Sequence, residues 1–394
     1  MRSVWARWAQ SAALRAAACV VFSSLALAQH YQQTNLVSDV PGLAAHTDSD
    51  LVNCWGMVRS GGSPWWVSDN GTGKSTLYNA TGTKIILGGG TVPAVVIPPP
   101  VGSSDPATPT GIVANGGSGF VVAGPLGSGP ARFIFATEDG TISGWSPSAD
   151  LSHAILKVPN EGAAIYKGLA INTFNGATLL YAANFLSGQV EVFNDTWGAT
   201  SVPGGFADAS LPQGYAPFNV QSVGSNIFVT FAKQGTPPDE VDGRGLGFVD
   251  EFDSGGTLLM RLQHGPWFDA PWGVAVAPGN FGEFSNDILV GNFGSGRIAA
   301  FSATGEFEGF LHGAGGPLVI DGLWALAFGG GNASSGMPNE LFFTAGIDGE
   351  NHGLFGKLTA VADDDAEDQN DDAATSDAPI SRPLDSTRNQ SVDG

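Results

Sequence analysis

A bulky residue followed by a smaller one returns six times between Trp55 and Ala325: Trp55-Gly56, Thr110-Gly111, Lys167-Gly168, Phe218-Asn219, Trp272-Gly273 and Trp324-Ala325. Successive copies lie 55, 57, 51, 54 and 52 residues apart. So even a spacing marks one supersecondary unit that buries its faces against copies of itself. In the fifth unit, short apolar runs at Trp272–Val276, Asp287–Val290, Arg297–Phe301 and Phe307–Leu311 are separated by Asn- and Gly-rich turns. That is the pattern of four strands. No segment after the first 28 residues sustains a helical period. The prediction is an all-β chain, a six-bladed β-propeller of four-stranded antiparallel blades; a β-helix would need far shorter repeats. Unit four departs by an insertion from Lys233 to Arg244, placed on the channel rim and containing Asp239 and Glu240, which suits a lid, a partner contact or a surface excursion. The Pro-rich stretch 92–109 reads as an extended spacer. Unit six contains only three strands, at 323–328, 340–345 and 353–358, while the apolar run Tyr31–Val37 has no unit of its own. The N-terminal strand is therefore expected to complete the last blade and close the ring, removing an exposed edge.

The ends have a different character. Arg2, Arg7 and Arg15, the apolar run from Ala16 to Leu27 and the small-x-small sequence Ala26-Leu27-Ala28 read as an export signal over 1–28. The apolar run is short for a bilayer span, so no transmembrane segment is expected in the mature chain. The expected location is secreted or periplasmic. A propeller over 29–361 would follow, then an acidic tail over 362–394 that carries ten acidic and two basic residues from Val361 onward and is expected to be disordered. The formal charge is −21, which argues against nucleic-acid binding through phosphate neutralisation. Of the two cysteines, Cys19 falls within the signal, and Cys54 beside Trp55 reads as a small buried hydrophobe without a disulfide partner.

In a propeller, the residues entering each inner strand share a rim with the turns between second and third strands. That rim carries Asn53, Asp269 and Asp321 before inner strands, with Trp55, Phe218, Trp272 and Trp324 close behind, and Asn70, Asp139, Asn184, Asn292 and Asp348 in turns. Lys167 is the single cation at an inner position. Two readings stand. Trp55, Lys167, Phe218, Trp272 and Trp324 would hold a polar ligand, or Asn184, Asp269, Asn292 and Asp321 would hold Ca²⁺ or another divalent cation. Alternatively, the Asp and Asn residues are turn formers and the aromatics pack between blades. Gly73-Lys74-Ser75 fails as a phosphate loop because Ser68 stands where its first glycine belongs. No Gly-x-Ser-x-Gly elbow and no close His spacing is present.

The phrases Tyr31-Gln32-Gln33-Thr34-Asn35-Leu36-Val37, Tyr166-Lys167-Gly168-Leu169-Ala170, Leu180-Tyr181-Ala182-Ala183-Asn184-Phe185, Ala270-Pro271-Trp272-Gly273, Leu289-Val290-Gly291-Asn292-Phe293-Gly294 and Asp321-Gly322-Leu323-Trp324 occur in this order. In them the chain resembles a family of exported bacterial β-propeller proteins, some ending in a PEP-CTERM sorting signal. The acidic tail departs from that signal, having no closing apolar helix and no basic cluster. More loosely, the chain is similar to NHL-repeat and gluconolactonase-like six-bladed propellers. Those lactonases hold a divalent metal with Glu, Asn and Asp, but no metal motif carries over position by position. The expected function is a binding or interaction scaffold for a protein, glycan or small molecule, acting as a monomer. A metal-dependent hydrolase of lactonase type and a structural envelope or matrix protein are the alternatives.

Overall fold

The computed structural model describes residues 29–362 apart from 160, 161 and 163. The predicted signal lies outside the described residues, as does the acidic tail beyond Ala362. Six antiparallel sheets follow one another as blades. Their inner strands are Cys54–Val58, Pro109–Ala114, Tyr166–Phe174, Tyr215–Val223, Pro271–Val276 and Leu323–Phe328. Blade five shows the plan: Pro271–Val276, Ile288–Asn292, Ile298–Phe301 and Phe307–Phe310 pair in chain order from the axis outward. Helix is confined to the short Leu87–Gly90 and two three-residue turns among the described residues. The outer strand of blade one, Val95–Val96, pairs with Lys74 and Ser75. The Pro-rich stretch read as a spacer thus begins with a strand.

The ring closes as expected. Gln29–Ser38 pairs antiparallel with His352–Ala362, with Thr34 opposite Lys357, Val37 opposite Phe355 and a bulge between Asn35 and Val37. Tyr31 reaches past its own blade, its hydroxyl donating to the Phe281 carbonyl at 3.0 Å. Burial pushes that phenol up to about 12.

Six apolar clusters hold the assembly, one at each seam between neighbouring blades. The cluster between blades six and one extends to the axis, where Trp55, Phe218, Trp272 and Trp324 meet. The small residues of the repeat explain how the ring can be this tight. A Cβ at Gly56, Gly111 or Gly273 would collide with main-chain atoms of the next inner strand: Thr110, Leu169 and Trp324 respectively. At Gly168 the obstacle is Asn219. Asn219, the odd member of the series, uses its side chain instead, donating from Nδ2 to the Trp272 carbonyl at 2.9 Å.

Candidate functional site

The channel is sealed by an aromatic plug. The rings of Trp55 and Trp324 lie 3.9 Å apart between centroids, Phe293 stacks on Trp324 at 4.2 Å, and Phe218 and Trp272 approach Trp324 at 5.8 and 5.9 Å. Trp272 is pinned by its indole N–H, which donates to the Lys167 carbonyl at 3.0 Å. Trp55 and Trp324 both donate their indole N–H to Asn53 Oδ1, at 3.0 and 3.3 Å. Asn53 has a positive φ of 46°, in the left-handed region where Asn is among the better tolerated residues. Its Nδ2 turns the other way, donating to Glu350 Oε1 at 3.1 Å and Asn70 Oδ1 at 3.4 Å. One amide therefore joins the dry plug to a polar cavity above it.

That cavity, about 280 Å³, is lined by Asn53, Trp55, Asn70, Glu138, Lys167, Glu240, Glu350 and the side of Phe293, with Pro238, Asp239 and Asp242 at its rim. Its centre is Lys167, buried at 2% exposure. The ammonium bonds Glu138 at 2.6 Å, lies 3.6 Å from Glu240 and sits 4.8 Å over the Trp55 ring. Asn70 completes a second link, donating to Glu138 Oε2 at 2.9 Å. Burial alone would depress the lysine, but Glu138, Glu240 and Glu350 hold it above its ordinary value. The carboxylates feel the converse. Burial pushes Glu240 up to about 7 against the pull of Lys167, with Glu350 and Glu138 adding to the rise. Glu350 is also raised, by burial first and by Glu138, despite its bonds to Asn53 and Trp55.

The insertion in blade four supplies the roof. Glu240–Val241 pairs with Lys233 and Gln234, turning the segment back over the axis. It is fixed to blade five where the Gly243 N–H donates to Asp269 Oδ1 at 2.6 Å.

The structure divides the residues expected at the site. Lys167 and Trp55 line the mouth cavity. Phe218, Trp272 and Trp324 lie in the plug beneath it, with Trp272 also facing a cavity at the channel's other end. Asn292 and Asp269 are neighbours: Asn292 Oδ1 accepts the Asp269 N–H at 2.9 Å. Asn184 Oδ1 accepts the N–H groups of Ile165, Leu186 and Ser187, each at 3.2 Å. Asp321 accepts the Asp348 N–H at 2.7 Å. These bonds shape turns. Among the described residues, no three of His, Cys, Asp or Glu gather as ligands for one metal ion.

Glu138 and Glu350 were not among the residues expected at the site, and Glu240 was expected there only as part of the rim insertion. The reason is partly one of phase. Asp69, Thr137, Asn184 and Asn292 pair with residues at the start of their inner strands. The next residue in each blade is Asn70, Glu138, Phe185 or Phe293, and these turn to the axis. A one-residue step along a strand exchanges its faces. Glu240 and Glu350 stand outside the repeat and carry no periodic signal.

A six-bladed propeller with a lidded acidic mouth over an aromatic plug is the class that this fold and site define. The chain belongs to the family of two uncharacterized proteins of Acanthamoeba polyphaga mimivirus. One is 31% identical over 333 residues, 82% of this chain and 78% of its own length; the other is 31% identical over 335 residues, 82% and 84%. No family model matches. Among solved structures, a protein of unknown function from Bacteroides thetaiotaomicron VPI-5482 is similar with a TM-score of 0.54 at 10% identity, over 85% of this chain and 77% of that one. A streptogramin B lyase is similar with a TM-score of 0.47 at 11% identity, over 84% and 98%. At 10% identity the likeness to the Bacteroides thetaiotaomicron protein is one of fold alone. Among the described residues, no helix is long and apolar enough to cross a membrane.

Proposed function

We propose that the protein is a binding protein whose ligand is a small organic cation held in the acidic mouth. The observation that carries this reading is the gathering of Glu138, Glu240 and Glu350 around a single buried ammonium. Ionised together, they leave a net negative charge among largely buried groups, which is costly. A proton shared onto Glu240, which burial raises to about 7, offsets that cost in the free protein. A ligand ammonium would do so instead and drive that proton off. Asp239 and Asp242 at the rim extend the negative field outward, which favours the approach of cations. A sugar finds less support, because the Trp55 face is covered by Lys167 and Trp324 and offers no stacking platform. A bare metal ion finds less support in the scattered turn carboxylates.

Titration calorimetry with 1,4-diaminobutane near pH 7, in two buffers of different ionisation heat, tests the reading. Binding with proton release is expected. Glu350→Gln should weaken it at least tenfold, or about 1.4 kcal/mol, and sorbitol should give no heat. Calcium binding without amine binding would replace this reading by the metal one, and an amine affinity indifferent to Glu350→Gln would sink it.

We also propose that the chain is exported, on the basic start, apolar run and Ala26-Leu27-Ala28 of its first residues. Expressed with this segment in a bacterial host, the protein should leave the cytoplasm and begin at Gln29 by N-terminal sequencing; cytoplasmic protein starting at Met1 would refute this.

A further inference from the structure

At the end of the channel opposite the lid, a second cavity of about 440 Å³ opens beneath the plug. All six inner strands form its wall, with side chains such as Met57, Ile112, Leu169, Val274 and Leu326. Its volume falls in the range of small-molecule sites, which is roughly 300–1,000 Å³. Neither Asp, Glu nor Lys lines it. Its one charge is Arg59, which follows the inner strand of blade one and is half-buried.

The guanidinium is held in place by neutral groups. Nε donates to the Phe328 carbonyl at 3.1 Å and Nη2 to the Gly329 carbonyl at 3.2 Å, while Cζ lies 5.8 Å from the Trp65 ring centroid. A Cβ on Gly330 would press on Nη1 and Cζ, so the glycine makes room for this seat. Among the described residues no carboxylate pairs with Arg59, although the chain's formal charge is −21. Desolvation draws its pKa down, as befits a cation without a counter-charge. A positioned fork with no acidic partner, at the edge of a chamber that sets apolar side chains beside neutral polar ones such as Gln221 and Ser222, suits an anion that carries its own apolar body.

We propose that this chamber binds an amphipathic monocarboxylate, with the carboxylate on Arg59 and the apolar chain directed up the channel toward the plug. The two ends of the ring would then take ligands of opposite charge, independently of one another.

Decanoate is the probe. Calorimetry and tryptophan fluorescence should both report saturable binding, since Trp65 and Trp272 line the chamber. Arg59→Met should weaken decanoate at least tenfold while leaving decanol binding nearly unchanged. Val276 lines the outer edge and is 40% exposed, so Val276→Trp should fold and block both ligands. It serves as the deciding variant if Arg59→Met does not fold. Glu240→Gln at the far mouth should leave decanoate affinity as it was. The proposal is overturned if decanoate fails to saturate the wild type in the millimolar range, binds Arg59→Met equally well, or is unaffected by Val276→Trp.

Discussion

Asn53 and the small residues of the repeat carry consequences out of proportion to their size. Asn53 Oδ1 accepts two buried indole N–H groups. Asn53→Leu leaves the Trp324 indole N–H unsatisfied, at about 1–3 kcal/mol, leaves Trp55 only its bond to Glu350 at 3.3 Å, and also strains a residue at positive φ. A marked fall in the denaturation midpoint is expected; a midpoint within error of wild type would show that the indoles find other acceptors. Gly111→Ala places a methyl group against the Leu169 main chain. Because backbone cannot rotate out of the way, a loss of about 1–3 kcal/mol or more is expected from chemical denaturation. The repeat of bulky and small residues was plain in the sequence, but its meaning was only half legible. Bulky positions Phe218, Trp272 and Trp324 looked like a ligand rim and pack into a plug with Trp55, which alone among them also lines the mouth cavity, because six inner strands converge too closely to leave their rings apart. Glu138 was hidden by its neighbour: Asp139 stands in the turn, yet it is Glu138, one step earlier, that faces the axis.

The element with the clearest chemical signature is the insertion in blade four. It brings Glu240 over Lys167, and Glu240 then titrates near 7 where an ordinary glutamate titrates near 4.5. A carboxyl raised by burial favours the folded state while protonated in it. Its contribution is full below pH 4.5 and is lost as pH rises to about 7, at up to about 1.4 kcal/mol per pH unit for one proton. Wild type should therefore lose stability relative to Glu240→Gln across that window. Parallel thermal melts that keep a constant difference from pH 4.5 to 7 would contradict it. Asp250, raised to about 6 by burial despite its bond to Arg261, contributes the same sign in both proteins and cancels from the comparison. The existence and place of the insertion were legible from the broken period. Its role was not, because the segment has no counterpart in the other blades from which a direction could be inferred.

For the molecule as a whole, closure is the decisive act. Gln29–Ser38 meets His352–Ala362 from the far end of the chain. Joining segments so distant costs little more than joining near ones, since loop entropy grows only with the logarithm of length. A cysteine pair at Thr34 and Lys357, which face each other across the closing strands, should form a disulfide on oxidation and slow unfolding, by mass spectrometry and unfolding kinetics. Failure of the pair to cross-link would mean that the strand is out of this register. Closure also makes the two channel ends possible, one acidic and lidded, the other without acidic groups and holding a single arginine.

What the sequence determined by itself was the number of blades, the strands within them and the strand that closes them. These follow from patterns of neighbouring residues and an even period, which any stretch of chain carries on its own. Only the tertiary structure decided which side chains meet at the axis. Glu138, Lys167, Glu240 and Glu350 come from four different blades, and Arg59 is isolated by what surrounds it rather than by what flanks it. Strand phase and ring curvature set those meetings, and neither is written at any one position.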